Sequence, residues 1–173
     1  MIQKYGGFTL TMQSAMQADA VLPLVRAELR TLREWSAALT VEGGVISVPT
    51  ETQVYAEEYA TRMEHLCRTI AEQHPDFSFT MEAMAEDDGG DYAFHEVGSL
   101  KDGDFAYTVD ASDCDDEGVA VLHSHTFGEL VDGVMRFETE REVQEYGGED
   151  APDEEEASDE EDEDNDEEYF EDD

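Results

Sequence analysis

The chain has 173 residues, with 47 Asp and Glu against 9 Lys and Arg, and a formal charge of −38. That sign excludes direct binding to DNA, RNA or an anionic membrane surface, because like charges would face each other. Apolar residues make up 39% of the chain, enough for one modest core, and no run of about eighteen of them is present to span a bilayer.

The first seven residues, Met-Ile-Gln-Lys-Tyr-Gly-Gly, lack the basic start and apolar stretch of a secretory signal. Two cysteines, Cys67 and Cys114, are too few for a disulfide framework and read as reduced thiols. The expected compartment is the cytoplasm.

Phe8, Leu10 and Met12 alternate with Thr9, Thr11 and Gln13, the period-two pattern of a half-buried strand. From Pro23 to Trp35 the apolar positions Leu24, Val25, Leu29, Leu32 and Trp35 share one helical face, and Pro23 suits a first turn. Ala38–Val41 and Val45–Val48 flank Glu42-Gly43-Gly44, a hairpin signal. Thr50-Glu51-Thr52-Gln53 has the form of a capping box and predicts a helix lined by Tyr55, Tyr59, Met63, Leu66 and Ile70 that stops at His74-Pro75. Phe77, Phe79, Met81 and Ala83 then alternate with polar residues, and further strands are expected at Tyr92–Val97 and Phe105–Val109, joined by turns rich in Asp and Gly.

Through residue 83 the predicted order is β-α-β-β-α-β. The expected fold class is therefore α+β, a ferredoxin-like core with additional antiparallel strands and a disordered acidic C-terminal tail. Helices should cover one sheet face and leave the other open. Residues 1–110 form the expected core domain. Residues 111–146 form an acidic extension, with a strand at Val119–Leu122, a hairpin turn at Asp132-Gly133 and a short helix at Thr139–Tyr146. Residues 147–173 hold 18 acids and no base, a block that repels itself and cannot bury enough surface to fold. Residues 1–146 still hold 29 acids against 9 bases, so the tail does not account for all the acidity.

Leu122-His123-Ser124-His125-Thr126, with Asp132-Gly133 further on, is the sharpest local pattern. On a strand, His123 and His125 point to the same side, an arrangement that can meet a divalent ion. The run resembles the first motif of the PHP phosphoesterase family, which implies a metal-dependent hydrolase built on a barrel. The resemblance covers about twelve residues, and the chain that follows is too short to supply such a barrel. Asp113–Gly118 suggests a calcium loop, but Ser124 stands where that loop needs a bidentate Glu. No phosphate-binding glycine loop, nucleophile elbow or Cys-x-x-Cys motif occurs. The sequence is therefore read as that of a non-enzyme without catalytic residues, resident metal or cofactor.

What remains is charge. Glu51 and Glu58, and Glu57 and Glu64, are seven apart, so on one helix each pair rises about 10 Å along one side. With Glu86, Asp87, Asp88 and Asp91, and with Asp102 and Asp104, they are expected to form an extended negative stripe. The partner this implies is a basic nucleic-acid-binding protein, a CRISPR or restriction component for example, inhibited by an acidic surface that imitates nucleic acid. Tyr169 and Phe170 are candidate aromatic anchors within the tail. The alternatives are a halophilic-type domain whose function is unrelated to charge, and an acidic-tailed chaperone of basic proteins. An open sheet face also allows a homodimer.

Overall fold

The computed structural model describes residues 4–54, 62–87, 92–115 and 118–147. Eight strands form one antiparallel sheet: β1 (Lys4–Met12), β2 (Thr40–Glu42), β3 (Val45–Val48), β4 (Phe79–Asp87), β5 (Tyr92–Lys101), β6 (Asp104–Asp115), β7 (Gly118–Val131) and β8 (Val134–Gly147). Their spatial order is β2-β3-β1-β4-β5-β6-β7-β8. Among the described residues three helices accompany them, α1 (Ala15–Glu28), α2 (Arg33–Ala38) and α3 (Arg62–Gln73), with a 3₁₀ turn at Leu29–Thr31.

The expectation of a ferredoxin-like core is corrected. The molecule is a mostly antiparallel eight-stranded sheet with few helices, and its largest part is the meander β4–β8, in which each strand pairs with the one before it. Tight turns make this possible. Asp102 and Gly103 have φ of 52° and 82°, and Asp132 and Gly133 have 51° and 79°. Positive φ at both central residues is the two-residue hairpin geometry whose twist matches that of the flanking strands. Long strands closed by such turns add to a sheet without needing a helical crossover.

Three local expectations also change. The helix expected from Pro23 begins instead at Ser14, whose Oγ accepts a hydrogen bond from the Gln17 N–H at 3.2 Å, and Pro23 lies within α1. Thr50–Gln53 opens no helix, because the chain there runs beside β1. Thr52 O accepts from Gly6 N–H at 2.9 Å, and Val54 N–H donates to Lys4 O at 2.8 Å. Tyr55 and Tyr59 lie outside the described residues. Thr139–Tyr146, expected as a helix, belongs to β8. At this edge both faces carry polar side chains, so the contrast that marks a strand is weak and the charges imitate helical spacing.

The core lies between the sheet and the helices. Phe8, Leu10, Met12, Met81, Leu100, Phe105 and Tyr107 from the sheet meet Val21 and Val25 of α1 and Met63, Leu66 and Ile70 of α3, all buried. Trp35 of α2 is fully buried, with its ring 5.5 Å from that of Phe8. Gly98 of β5 admits this layer closely, since a Cβ there would stand 2.8 Å from the Tyr107 ring and 3.4 Å from Cys67 Sγ.

A polar cluster ties α3 to the last two strands. Arg68 Nη2 donates to Glu64 Oε1 at 3.1 Å and to Thr139 Oγ1 at 3.0 Å, and the guanidinium lies 5.0 Å over the Phe137 ring. Thr126, fully buried, donates to Glu64 Oε1 at 2.8 Å. These bonds satisfy groups that would be costly to bury alone. They also hold β7 and β8 against the helical layer.

Candidate protein-interaction face

Along each strand every second side chain turns away from the helices, so the sheet has a second, uncovered face. Two cross-strand rows describe its centre. One runs Met84, His95, Asp110, His123, Glu142, and the next runs Glu82, Val97, Thr108, His125, Glu140. His123 Nδ1 lies 2.5 Å from Asp110 Oδ1, His95 Nε2 lies 3.4 Å from Glu82 Oε1, and the His125 ring packs at 3.8 Å on that of Phe127. Imidazoles and carboxylates therefore alternate across the sheet.

The charge of this face is one-sided. On β4–β8 it carries Glu82, Glu86, Asp104, Asp110, Glu129, Glu138, Glu140 and Glu142, all exposed, against Lys101 and Arg136 as the fixed cations among the described residues. Helices α1–α3 and the turn between α1 and α2 carry Asp19, Glu28, Glu34, Glu64 and Glu72 against Arg26, Arg30, Arg33, Arg62 and Arg68. The helical layer balances while the sheet does not. Counted over the described residues of β4–β8 and their turns, fifteen acids stand against Lys101, Arg136 and Arg141.

Apolar surface interrupts the acids. Met84, Val97 and Phe127 on the same face are 47%, 41% and 46% exposed. A cleft of about 720 Å³ opens at Met84, with Ala93, Phe94 and Val121 as further apolar lining and Glu51, Glu86, His95 and Asp110 at its polar positions. A charged face with an apolar centre suits contact with another macromolecule, where charge orients the approach and apolar area adds affinity.

The residues expected to form a stripe are dispersed. Glu51 sits in the segment after β3 at the cleft, and Glu86 projects from β4 onto the open face. Glu64 turns inward to the cluster with Arg68 and Thr126, and Asp87 is buried at the end of β4. Asp102 and Asp104 are exposed at the β5–β6 turn, the far end of β5 from Glu86. Glu57, Glu58, Asp88 and Asp91 lie outside the described residues, as do Tyr169 and Phe170 of the tail. Sequence reasoning missed Glu82, Asp110, Glu138, Glu140 and Glu142. The signal for the last three was faint, since of the residues that alternate with them only Phe137 and Val143 are apolar, while Thr139 and Arg141 are polar.

No protein family, no curated protein and no solved structure matches this chain. The functional reading therefore rests on the surface itself.

Other chemistry finds little support in the geometry. His123 and His125 do share one side of β7, but no group of three or more His, Cys, Asp or Glu among the described residues is placed to hold a metal ion. Cys67 is fully buried, and burial, with Glu96 and then Glu64 nearby, pushes its thiol well above the ordinary range. A thiol held in its protonated form is a poor nucleophile. No helix among the described residues is long and apolar enough to cross a membrane.

Proposed function

We propose that this chain is an acidic interaction protein that occupies a cationic nucleic-acid-binding groove of a partner protein and blocks it by imitating the charge of nucleic acid. The observation that carries this reading is the asymmetry of charge among the described residues: eight exposed carboxylates against Lys101 and Arg136 on the open face of β4–β8, beside a helical layer with equal numbers of acids and bases.

Spacing supports it as well. Glu138, Glu140 and Glu142 recur at every second residue of β8, about 6.8 Å apart along a strand, which is twice the rise of about 3.4 Å per phosphate along one strand of a duplex. Neighbouring strands add further rows about 4.8 Å away. Because the carboxylates are mounted on a hydrogen-bonded sheet, less conformational freedom is lost on binding than with a flexible acidic segment.

The test is inhibition of DNA binding by a panel of RNA-guided and restriction nucleases, measured across a salt series with the full chain and with Glu138→Lys/Glu140→Lys/Glu142→Lys. The expected result is displacement of DNA from at least one nuclease, weakened by salt and lost in the triple variant. Equal displacement by the triple variant, or none by the wild type, refutes the proposal. A synthetic peptide of residues 148–173 that competes as well as the whole protein would favour the tail-driven chaperone. Unfolding of the wild type on removal of salt would favour the halophilic domain, whose self-repulsion is then unscreened.

A further inference from the structure

The sheet ends at β8, a strand of 14 residues, and no strand among the described residues lies beyond it. The opposite edge, β2, has only three residues. A long edge presents a row of backbone donors and acceptors to any chain that approaches.

The direction of those groups follows from the turn. Val131 and Val134 close the two-residue hairpin at Asp132-Gly133, so they form a pair that exchanges both backbone hydrogen bonds. Alternation from that pair directs the backbone of residues 136, 138, 140 and 142 towards β7. The backbone of residues 137, 139, 141 and 143 points outward. The same alternation sets Glu138, Glu140 and Glu142 on the open face beside this outward row.

Edge strands are often guarded by charge, and here the guard on the open face around residue 140 has one sign. A second copy of β8 pairing antiparallel about Glu140 would place the three glutamates opposite their own counterparts, a destabilising arrangement. An extended cationic segment meets the reverse condition. Building on the reading given above, we infer that β8 accepts a ninth strand from the partner. That segment has Lys or Arg at every second position, facing Glu138, Glu140 and Glu142, and small or apolar residues between them beside Thr139 and Val143. Backbone hydrogen bonds supply the shared affinity and the alternating charges supply selectivity.

The experiment uses the full chain and the peptide acetyl-Lys-Val-Lys-Thr-Lys-Val-Lys-amide at low salt. Its comparison peptide carries N-methyl groups on the Val and Thr residues, which keeps the charge and removes the donors that would face β8. Strand addition predicts that amide exchange at residues 137, 139, 141 and 143 slows about tenfold or more on binding. It predicts that N-methylation weakens binding by about tenfold, and that Arg141→Pro/Val143→Pro does the same. Both prolines replace outward N–H groups, so the β7–β8 ladder is kept. If that variant fails to fold, the N-methyl comparison on the wild type decides. Binding without added protection and without loss on N-methylation overturns strand addition but leaves nuclease inhibition standing. Absence of peptide binding, or a dimer that the prolines abolish, also overturns it. Failure in the nuclease panel as well removes both readings.

Discussion

Replacing Arg68 with alanine tests how firmly the acidic strands are held to the helical layer. Three interactions disappear together: the ion pair with Glu64 at 3.1 Å, the hydrogen bond to Thr139 at 3.0 Å, and the stacking of the guanidinium at 5.0 Å over Phe137. The Arg68 side chain is 33% exposed and that of Glu64 20%, so solvent screens the pair and the lower parts of the usual ranges apply. An i,i+4 pair contributes about 0.5 kcal/mol, a partly exposed hydrogen bond about 1, and the cation–π contact about 0.5 to 1. The expected loss is about 2 kcal/mol, or about 4–8 °C in Tm for a chain of this size. Urea unfolding followed by circular dichroism measures it. Arg30→Ala, on an exposed position after α1, should stay within about 0.5 kcal/mol. Arg68→Lys should retain part of the stability, since charge survives while the planar fork is lost. A double-mutant cycle with Phe137→Leu should give coupling of about 0.5 to 1 kcal/mol. A loss for Arg68→Ala no larger than that for Arg30→Ala would show that the cluster does not anchor β8.

Gly98→Ala should destabilise by about 1–3 kcal/mol, because the new methyl group would stand 2.8 Å from the Tyr107 ring. Urea midpoints check this, and a neutral result would mean that the ring moves aside freely. Cys67 gives a pH dependence of definite sign. With its thiol raised in the folded state, only the unfolded chain ionises as pH climbs above the ordinary thiol range. Stability should therefore be full below that range and fall above it by at most about 1.4 kcal/mol per pH unit, a component that Cys67→Ala should remove. Modification of Cys67 by a thiol reagent should likewise be slow until denaturant is added. Trp35, the single tryptophan, is fully buried, so its emission should be blue-shifted, resist iodide quenching, and move red in the same transition that circular dichroism reports.

Parts of this architecture are legible in the residues. The alternation at Phe8–Met12 and Phe79–Ala83 marks strands because one side meets the core and the other meets water. The glycines after Asp102 and Asp132 mark turns because two successive positive φ angles suit Asp-Gly. Other parts depend on contacts that only the folded chain makes. Thr50–Gln53 has the letters of a capping box, yet its backbone is claimed by β1, some 45 residues earlier. Glu64 looks like a solvated helix position, but Thr126 of β7 and Arg68 draw it inward. β8 hides because its carboxylates alternate with Thr139, Arg141 and other residues that do not contrast with them in polarity. The acidity of the surface was readable from composition, whereas the face that bears it depended on sheet register. A one-residue slip would have exchanged the two sides.

Among the described residues, the unequal charge of the sheet and the helices gives the folded layers a permanent electrical orientation. Before any contact forms, a cationic surface exerts a torque as well as a pull, turning the meander forward and the helices to the rear. That alignment acts over roughly the screening distance, about 8 Å at physiological ionic strength and several-fold more in dilute buffer. Rotational searching is thereby shortened most where salt is scarce.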